Sequence, residues 1–298
     1  EYGKPVDRED VYLRLGNLGL MLSAYHRAEG FYNRALSINR AYEAAWNNLG
    51  YLYVETGRYK ESIACFDKAI EEAFFLSQPH VGRAIALMKI EQYREAIESM
   101  EQALDIKSSD PEFWVIKGEA HEKLGERRKA MECYRTALRY DAECVKALRK
   151  CAGMLRKWGN YKEALNYIDK AIALDKKNVD ALREKGRILY YSERYREAVE
   201  AYKSAVEYDP YNPELWIEMG RNLLKLEKYE EALISSDHAI ELEPTNVEGW
   251  LLKAEVFARM GKIKATLKCY EKVLKIDPEN SEAREAKKVC ERYIINQG

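Results

Sequence analysis

Residues 213–246 read PELWIEMGRNLLKLEKYEEALISSDHAIELEPTN, and the fold is decided by this stretch. From Pro213 to Leu226 apolar residues return at helical spacing, a short polar break follows, and a second amphipathic run goes from Glu230 to Leu242. That is helix, turn, helix. Glu243-Pro244 ends it, as Asp209-Pro210 and Asp277-Pro278 do one period to either side, because proline cannot continue the helical ladder and disfavours helical geometry in the residue before it.

The pattern returns every 34 residues without a gap. Eight units cover 9–280 (9–42, 43–76, 77–110, 111–144, 145–178, 179–212, 213–246 and 247–280), with a lead-in over 1–8 and a capping helix and tail over 281–298. The eighth position is always Gly or Ala: Gly16, Gly50, Ala84, Gly118, Ala152, Gly186, Gly220, Ala254. The twenty-seventh is Ala from Ala35 to Ala239, ending in Val273. Bulk alternates with these, as at the fourth position, which holds Tyr12, Trp46, His80, Trp114, Leu148, Leu182, Trp216 and Trp250. Small residues recur where helices approach closely, and large ones fill the hole above them.

This pattern resembles the tetratricopeptide repeat over nearly the whole chain. The resemblance implies an all-α fold, a right-handed superhelical α-solenoid of tandem helix-turn-helix repeats. Each pair exposes an apolar face that only a neighbour covers, so one elongated solenoid is expected rather than two globular domains. Ser281 to Lys288 is strongly charged, as a cap facing water must be, with Val289, Tyr293 and Ile294 expected on its buried side.

Composition narrows the function. Of 298 residues 47% are hydrophobic and 33% charged, enough to bury a large core, while 49 Lys and Arg against 50 Asp and Glu leave no overall basic excess for nucleic acid or a membrane surface. No apolar run reaches the eighteen or so residues of a membrane span, and a cytoplasmic location is expected. Opening on Glu1 rather than Met, the sequence is expected to be a fragment or processed form. Cys65, Cys133 and Cys269 are separated by multiples of the period, which predicts free buried thiols in a reducing compartment. No Cys-x-x-Cys pair, Gly-x-Ser-x-Gly elbow, phosphate loop or His-Glu-x-x-His helix occurs, and His26, His80, His121 and His238 fall at unrelated registers. A non-enzyme with no metal or cofactor is expected.

In the family resembled, first helices line a concave face, and positions 2, 5, 6, 9, 12 and 13 of each unit point into it. Carried onto this sequence, those positions give an apolar half with a few amides: Leu13, Asn17, Leu20, Met21, Asn47, Asn48, Tyr51, Val54, Val81, Ile85 and Met88, then Val115 and Ile116. From the fifth unit on they give Lys146, Arg149, Lys150, Arg156, Lys157, Arg183, Arg187, Arg221, Lys225 and Arg259, interleaved with Asp180, Glu184, Glu214, Glu218, Glu248 and Glu255. The expected partner is another protein, held by an extended or helical segment, with acidic contacts toward the basic half. Pairing of these arginines with their own glutamates is the competing reading.

The family's two-carboxylate clamp for a chaperone tail is not expected here: Asn17 and Asn48 fit it, but Leu13, Gln78 and Gly82 occupy its cationic positions. The asparagine ladder of the superhelix attached to O-linked sugar transferases also fails, since only Asn48 falls on it. Phe74-Phe75, in an odd inter-repeat turn, either plugs the junction or anchors a partner or a second copy of the chain. The alternatives are nucleic acid along the basic half, weakened by the interleaved Glu and missing stacking aromatics, and a targeting arm of a larger enzyme.

Overall fold

The computed structural model describes residues 8–297; residues 1–7, most of the expected lead-in, lie outside the described residues. Helices come in pairs: α1 (Arg8–Met21) with α2 (Tyr25–Ile38), α3 (Glu43–Glu55) with α4 (Tyr59–Glu72), α5 (Ser77–Lys89) with α6 (Tyr93–Ile106), α7 (Pro111–Lys123) with α8 (Arg127–Tyr140). There follow α9 (Val145–Lys157) and α10 (Tyr161–Leu174), α11 (Val179–Tyr191) and α12 (Tyr195–Tyr208), α13 (Pro213–Lys225) and α14 (Tyr229–Leu242), α15 (Val247–Arg259) and α16 (Ile263–Ile276), then a single α17 (Ser281–Gln297). Among the described residues there is no strand, and the all-α class and tandem helix-turn-helix order are as the sequence reads. The chain divides into two compact units, one ending at Ala147 and the other beginning at Leu148. Within each, successive pairs stack in order, α2 on α3 and α4 on α5 in the first, α12 on α13 and α14 on α15 in the second.

The pairs close because small faces large at a fixed register. A methyl group added at Gly16, Gly118 or Gly186 would lie 2.4–2.5 Å from the ring of Tyr32, Tyr134 or Tyr202, sixteen residues on. Where the eighth position is Ala84 or Ala152, the facing residue is the slimmer Met100 or Ile168, fully buried in both cases. In these units Gly or Ala limits how large a side chain the second helix carries, whereas Gly220 and Ala254 have Ser236 and Tyr270 at the same spacing.

Each turn is made at the fifteenth position, in left-handed backbone. Gly57, Gly125, Gly159 and Gly261 supply it in four units, and Ser23, Glu91, Glu193 and Glu227, with φ of 55–62°, in the other four. Left-handed geometry costs a residue with a Cβ roughly 1–2 kcal/mol, so half of the turns are strained.

Two features join one pair to the next. The acid at the twenty-fifth position pairs with the base seven residues into the following unit: Asp67 with Arg83 at 2.7 Å, Glu101 with Lys117 at 2.9 Å, Asp169 with Lys185 at 2.7 Å, Asp237 with Lys253 at 2.6 Å. Second, the fourth-position tryptophans do more than fill space. The indole N–H groups of Trp46, Trp114, Trp216 and Trp250 donate to the carbonyls of Arg40, Ser108, Pro210 and Pro244, six residues back, at 2.8–3.0 Å. Each thereby pins its own inter-repeat turn, and Arg284 does the same for α17 by donating to the Pro278 carbonyl at 2.6 Å.

Two expectations are corrected. The buried side of α17 is formed by Ala283 and Cys290, with Val289 at 64% exposure and Tyr293 also exposed; only Ile294 of the expected three is half-buried. Phe74 and Phe75 are 75% and 63% exposed, packed edge to face on each other at 5.9 Å, and so do not plug their junction. All six cysteines are buried free thiols, and burial pushes the Cys65 thiol up to about 12. No described helix is long and apolar enough to cross a membrane.

Candidate functional site

In the unit that ends at Ala147, the neighbouring first helices α1 and α3 are joined by amides. Asn17 Oδ1 accepts from the buried Tyr32 hydroxyl at 2.8 Å and from Asn48 Nδ2 at 2.8 Å, and Asn47 Nδ2 donates to Asn48 Oδ1 at 3.2 Å. Burial pushes the Tyr32 phenol up to about 12, keeping it a donor. Tyr51 donates weakly from α3 to the Gln78 carbonyl at 3.3 Å, its ring edge-on to Phe66. Leu13, Asn17, Asn47, Asn48, Tyr51, Val54, Ile85 and Met88 are half-buried, the state of side chains shared between a core and a surface. Val81 is not: at 5% exposure it belongs to the core with Phe113 and Leu104 and is removed from the expected contact surface.

In the unit that begins at Leu148, the first helices are joined by charges. Arg149 on α9 pairs with Asp180 on α11 at 3.4 Å, and Arg156 with Glu184 at 2.7 Å. Arg183 on α11 reaches Glu214 and Glu218 on α13, the latter at 2.9 Å; Arg187 reaches Glu218 at 2.6 Å; Arg221 pairs with Glu248 on α15. Of the two readings of these arginines, pairing with the chain's own carboxylates is the one seen. Arg149, Arg156, Arg183, Arg187 and Arg221 all carry carboxylate partners; Lys150 is half-buried and Lys225 exposed.

Glu218 is the hub. Burial pushes its carboxyl up, but hydrogen bonds from Arg183 and Arg187 outweigh that and hold it below the ordinary carboxylate range. Tyr202, 1% exposed, lies close to the same carboxylate, and its phenol is pushed strongly up, first by burial and then by Glu218. The guanidinium of Arg183 is stabilised in turn: burial opposes its charge, and Glu218 and Glu214 more than restore it.

Beside this hub lies a cleft of about 380 Å³ walled by Arg156, Arg187, Arg221, Tyr190, Tyr191 and Asn222, with Glu218 and Tyr202 behind. The Arg156 guanidinium stands 5.2 Å from the Tyr191 ring centroid, and Tyr190 packs edge-on against Tyr191 at 5.4 Å. Asn222 Nδ2 donates to the Glu218 carbonyl at 2.8 Å, one turn back, while its buried Oδ1 has no hydrogen-bond partner. Arg156, Arg187 and Arg221 come together here; Arg149, Lys150 and Lys225 do not line the cleft.

The sequence signal for Asn222 was present and missed. It stands at the tenth position of its unit, where the other seven have Leu18, Leu52, Ala86, Ala120, Met154, Ile188 and Val256. Tyr190 and Tyr191 sit at positions 12 and 13, among those that point into the groove in the family resembled.

Comparison with known proteins agrees with the repeat and the fold. Family models described as tetratricopeptide repeat match residues 43–73, 80–178, 155–213, 189–256 and 247–280. A TPR repeat-containing protein of Methanocaldococcus jannaschii is 27% identical over 161 residues, 51% of this chain and 28% of that protein, so the chain spans less than a third of its relative's length. Among solved structures, the APC/C hetero-tetramer Cut9-Hcn1 matches with a TM-score of 0.66 at 15% identity, covering 95% of this chain and 56% of the other. YrrB, a TPR protein with an unusual peptide-binding site, matches with a TM-score of 0.50 at 24% identity over 63% of this chain and 97% of its own. With its helix pairs, its small-against-large register and these matches running from residue 43 to residue 280, the chain belongs to the tetratricopeptide-repeat family.

Proposed function

We propose that this chain is a non-catalytic scaffold that holds a segment of another protein against its first helices. The observation that carries the reading is the cleft beside Glu218, where three arginines, two tyrosine rings and a buried amide converge on one concavity. Preformed by helix packing and by the Glu218 hub, such a surface leaves the ordering cost to the partner segment. YrrB offers a parallel in which the same fold carries a peptide-binding site. The half-buried amide face around Asn17 and Asn48 is the second place where a partner backbone would find side-chain hydrogen bonds.

The test is photo-crosslinking in nuclease-treated extract, with a crosslinking amino acid in place of Tyr191 and, as control, of Lys203, an exposed residue of the second helix α12. Peptides of one protein joined at position 191 and absent at 203 are the expected result. Equal crosslinking at both positions, or crosslinks that vanish with nuclease, would overturn the reading.

A further inference from the structure

Asn222 is an anomaly of register and of chemistry. It is polar where the seven equivalent positions are apolar, it is 1% exposed, and its Oδ1 lacks a donor although three arginines wall the same cleft. A buried acceptor without a partner is destabilising, and an apolar residue in its place, as in every other unit, would relieve that. Its retention beside a concavity marks it as a group waiting for a donor that a ligand brings.

The charges around it limit what that ligand is. Arg156 is matched by Glu184, Arg187 by Glu218 and Arg221 by Glu248, so the cleft has no net positive charge to hold a dianion. A phosphate would bring only acceptors and leave Asn222 Oδ1 as it is. The complement of an amide oxygen beside arginine donors is a group with an N–H close to a single carboxylate. Arg221 is the arginine able to serve it: its pair with Glu248 is exposed on both sides, and exchanging one exposed carboxylate for another is nearly neutral. Arg187, by contrast, is tied to the buried Glu218.

We infer that the cleft reads one acidic residue of a bound peptide, its carboxylate taken by Arg221 in exchange for Glu248 and its own backbone N–H by Asn222 Oδ1, beside the rings of Tyr190 and Tyr191. The inference rests on the peptide-binding reading above and names the chemistry of the segment at this point. It makes Asn222 a specificity residue that keeps the empty cleft less stable than it would otherwise be.

The experiment uses the full chain and three pools of N-acetylated nine-residue peptides with random flanks and Glu, Gln or N-methyl-Glu fixed at the centre, read by fluorescence polarisation. The wild type is expected to prefer the Glu pool about tenfold over each of the others, the scale of one well-made hydrogen bond or charge contact. Asn222→Leu should erase the preference for Glu over N-methyl-Glu while raising Tm, a combination that a purely structural role cannot give. Arg221→Gln should erase the preference for Glu over Gln and leave Tm unchanged. Asn222→Ala repeats the first comparison should leucine disturb packing. If the wild type binds the pools equally, or the variants keep its preferences, the assignment of the cleft fails while peptide binding stands. If no pool binds and position 191 gives no protein crosslink, the peptide reading falls and takes this one with it.

Discussion

Asn17 and Asn48 join first helices in one unit through neutral amides; Arg183, Arg187 and Glu218 join them in the other through charges. Both solve the same problem, since first helices meet at a half-wet face where apolar packing is incomplete and polar atoms need partners. They differ in how much depends on one atom. The amide chain hands its bonds along, Asn17 Oδ1 serving two donors and Asn48 Oδ1 one while the buried Asn47 Oδ1 has none, whereas Glu218 takes two guanidinium groups on a single carboxylate. Charge concentrates dependence, and amides spread it.

The comparison is broken most severely by removing the hub. Glu218→Ala leaves Arg187 without its close carboxylate and Arg183 with Glu214 alone, and a loss of about 3 kcal/mol is expected in urea titrations followed by circular dichroism. Acid should reach the same contact. Because the Glu218 carboxyl is held below its ordinary range in the folded chain, its stabilisation is complete above the unfolded value, about 4.3, and disappears as pH falls through the lower folded value. The drop in urea midpoint between pH 5 and pH 3 should therefore be smaller in Glu218→Gln than in the wild type. An equal drop would show that the hub does not titrate.

On the amide side the expected effects are smaller. Asn17→Ala strands the Tyr32 hydroxyl and one Asn48 donor, for about 1–2 kcal/mol and no change in acid sensitivity. A pH-dependent loss in that variant would erase the distinction between the two faces. The smallest change has the opposite sign and is common to both units. Glu91→Gly and Glu227→Gly relieve left-handed backbone and should each stabilise by about 0.5–1 kcal/mol, whereas Gly57→Ala should destabilise by a similar amount.

Much of this was legible in the sequence, and what was not shares one cause. Periodicity located the helix pairs, the small eighth position and the buried cysteines, because burial repeats with the backbone and backbone repeats every 34 residues. Position within the repeat did not say what a side chain touches. Arg183 and Arg187 occupy groove positions as expected, but so does Glu218 across from them, and a one-dimensional register cannot tell a free guanidinium from one already held. Val81 was placed in the groove by the same rule and sits in the core. The cap failed differently: the residues of α17 that meet α16 are the smaller Ala283 and Cys290, and Val289 and Tyr293 fall on its exposed side. The cleft was within reach all the same, through a departure from the pattern. Asn222 stands out once the tenth positions are aligned.

The tryptophans that pin the turns have a spectroscopic consequence. Of the five in the chain, Trp46, Trp114, Trp216 and Trp250 hold the same hydrogen bond in the same register, and only Trp158 stands outside the scheme. Intrinsic emission is thus a report on inter-repeat turns rather than on a single core. Single-tryptophan versions of the chain would give two probes on each side of Ala147, each sensing the opening of its own turn, and would show directly whether the units melt together or one after the other.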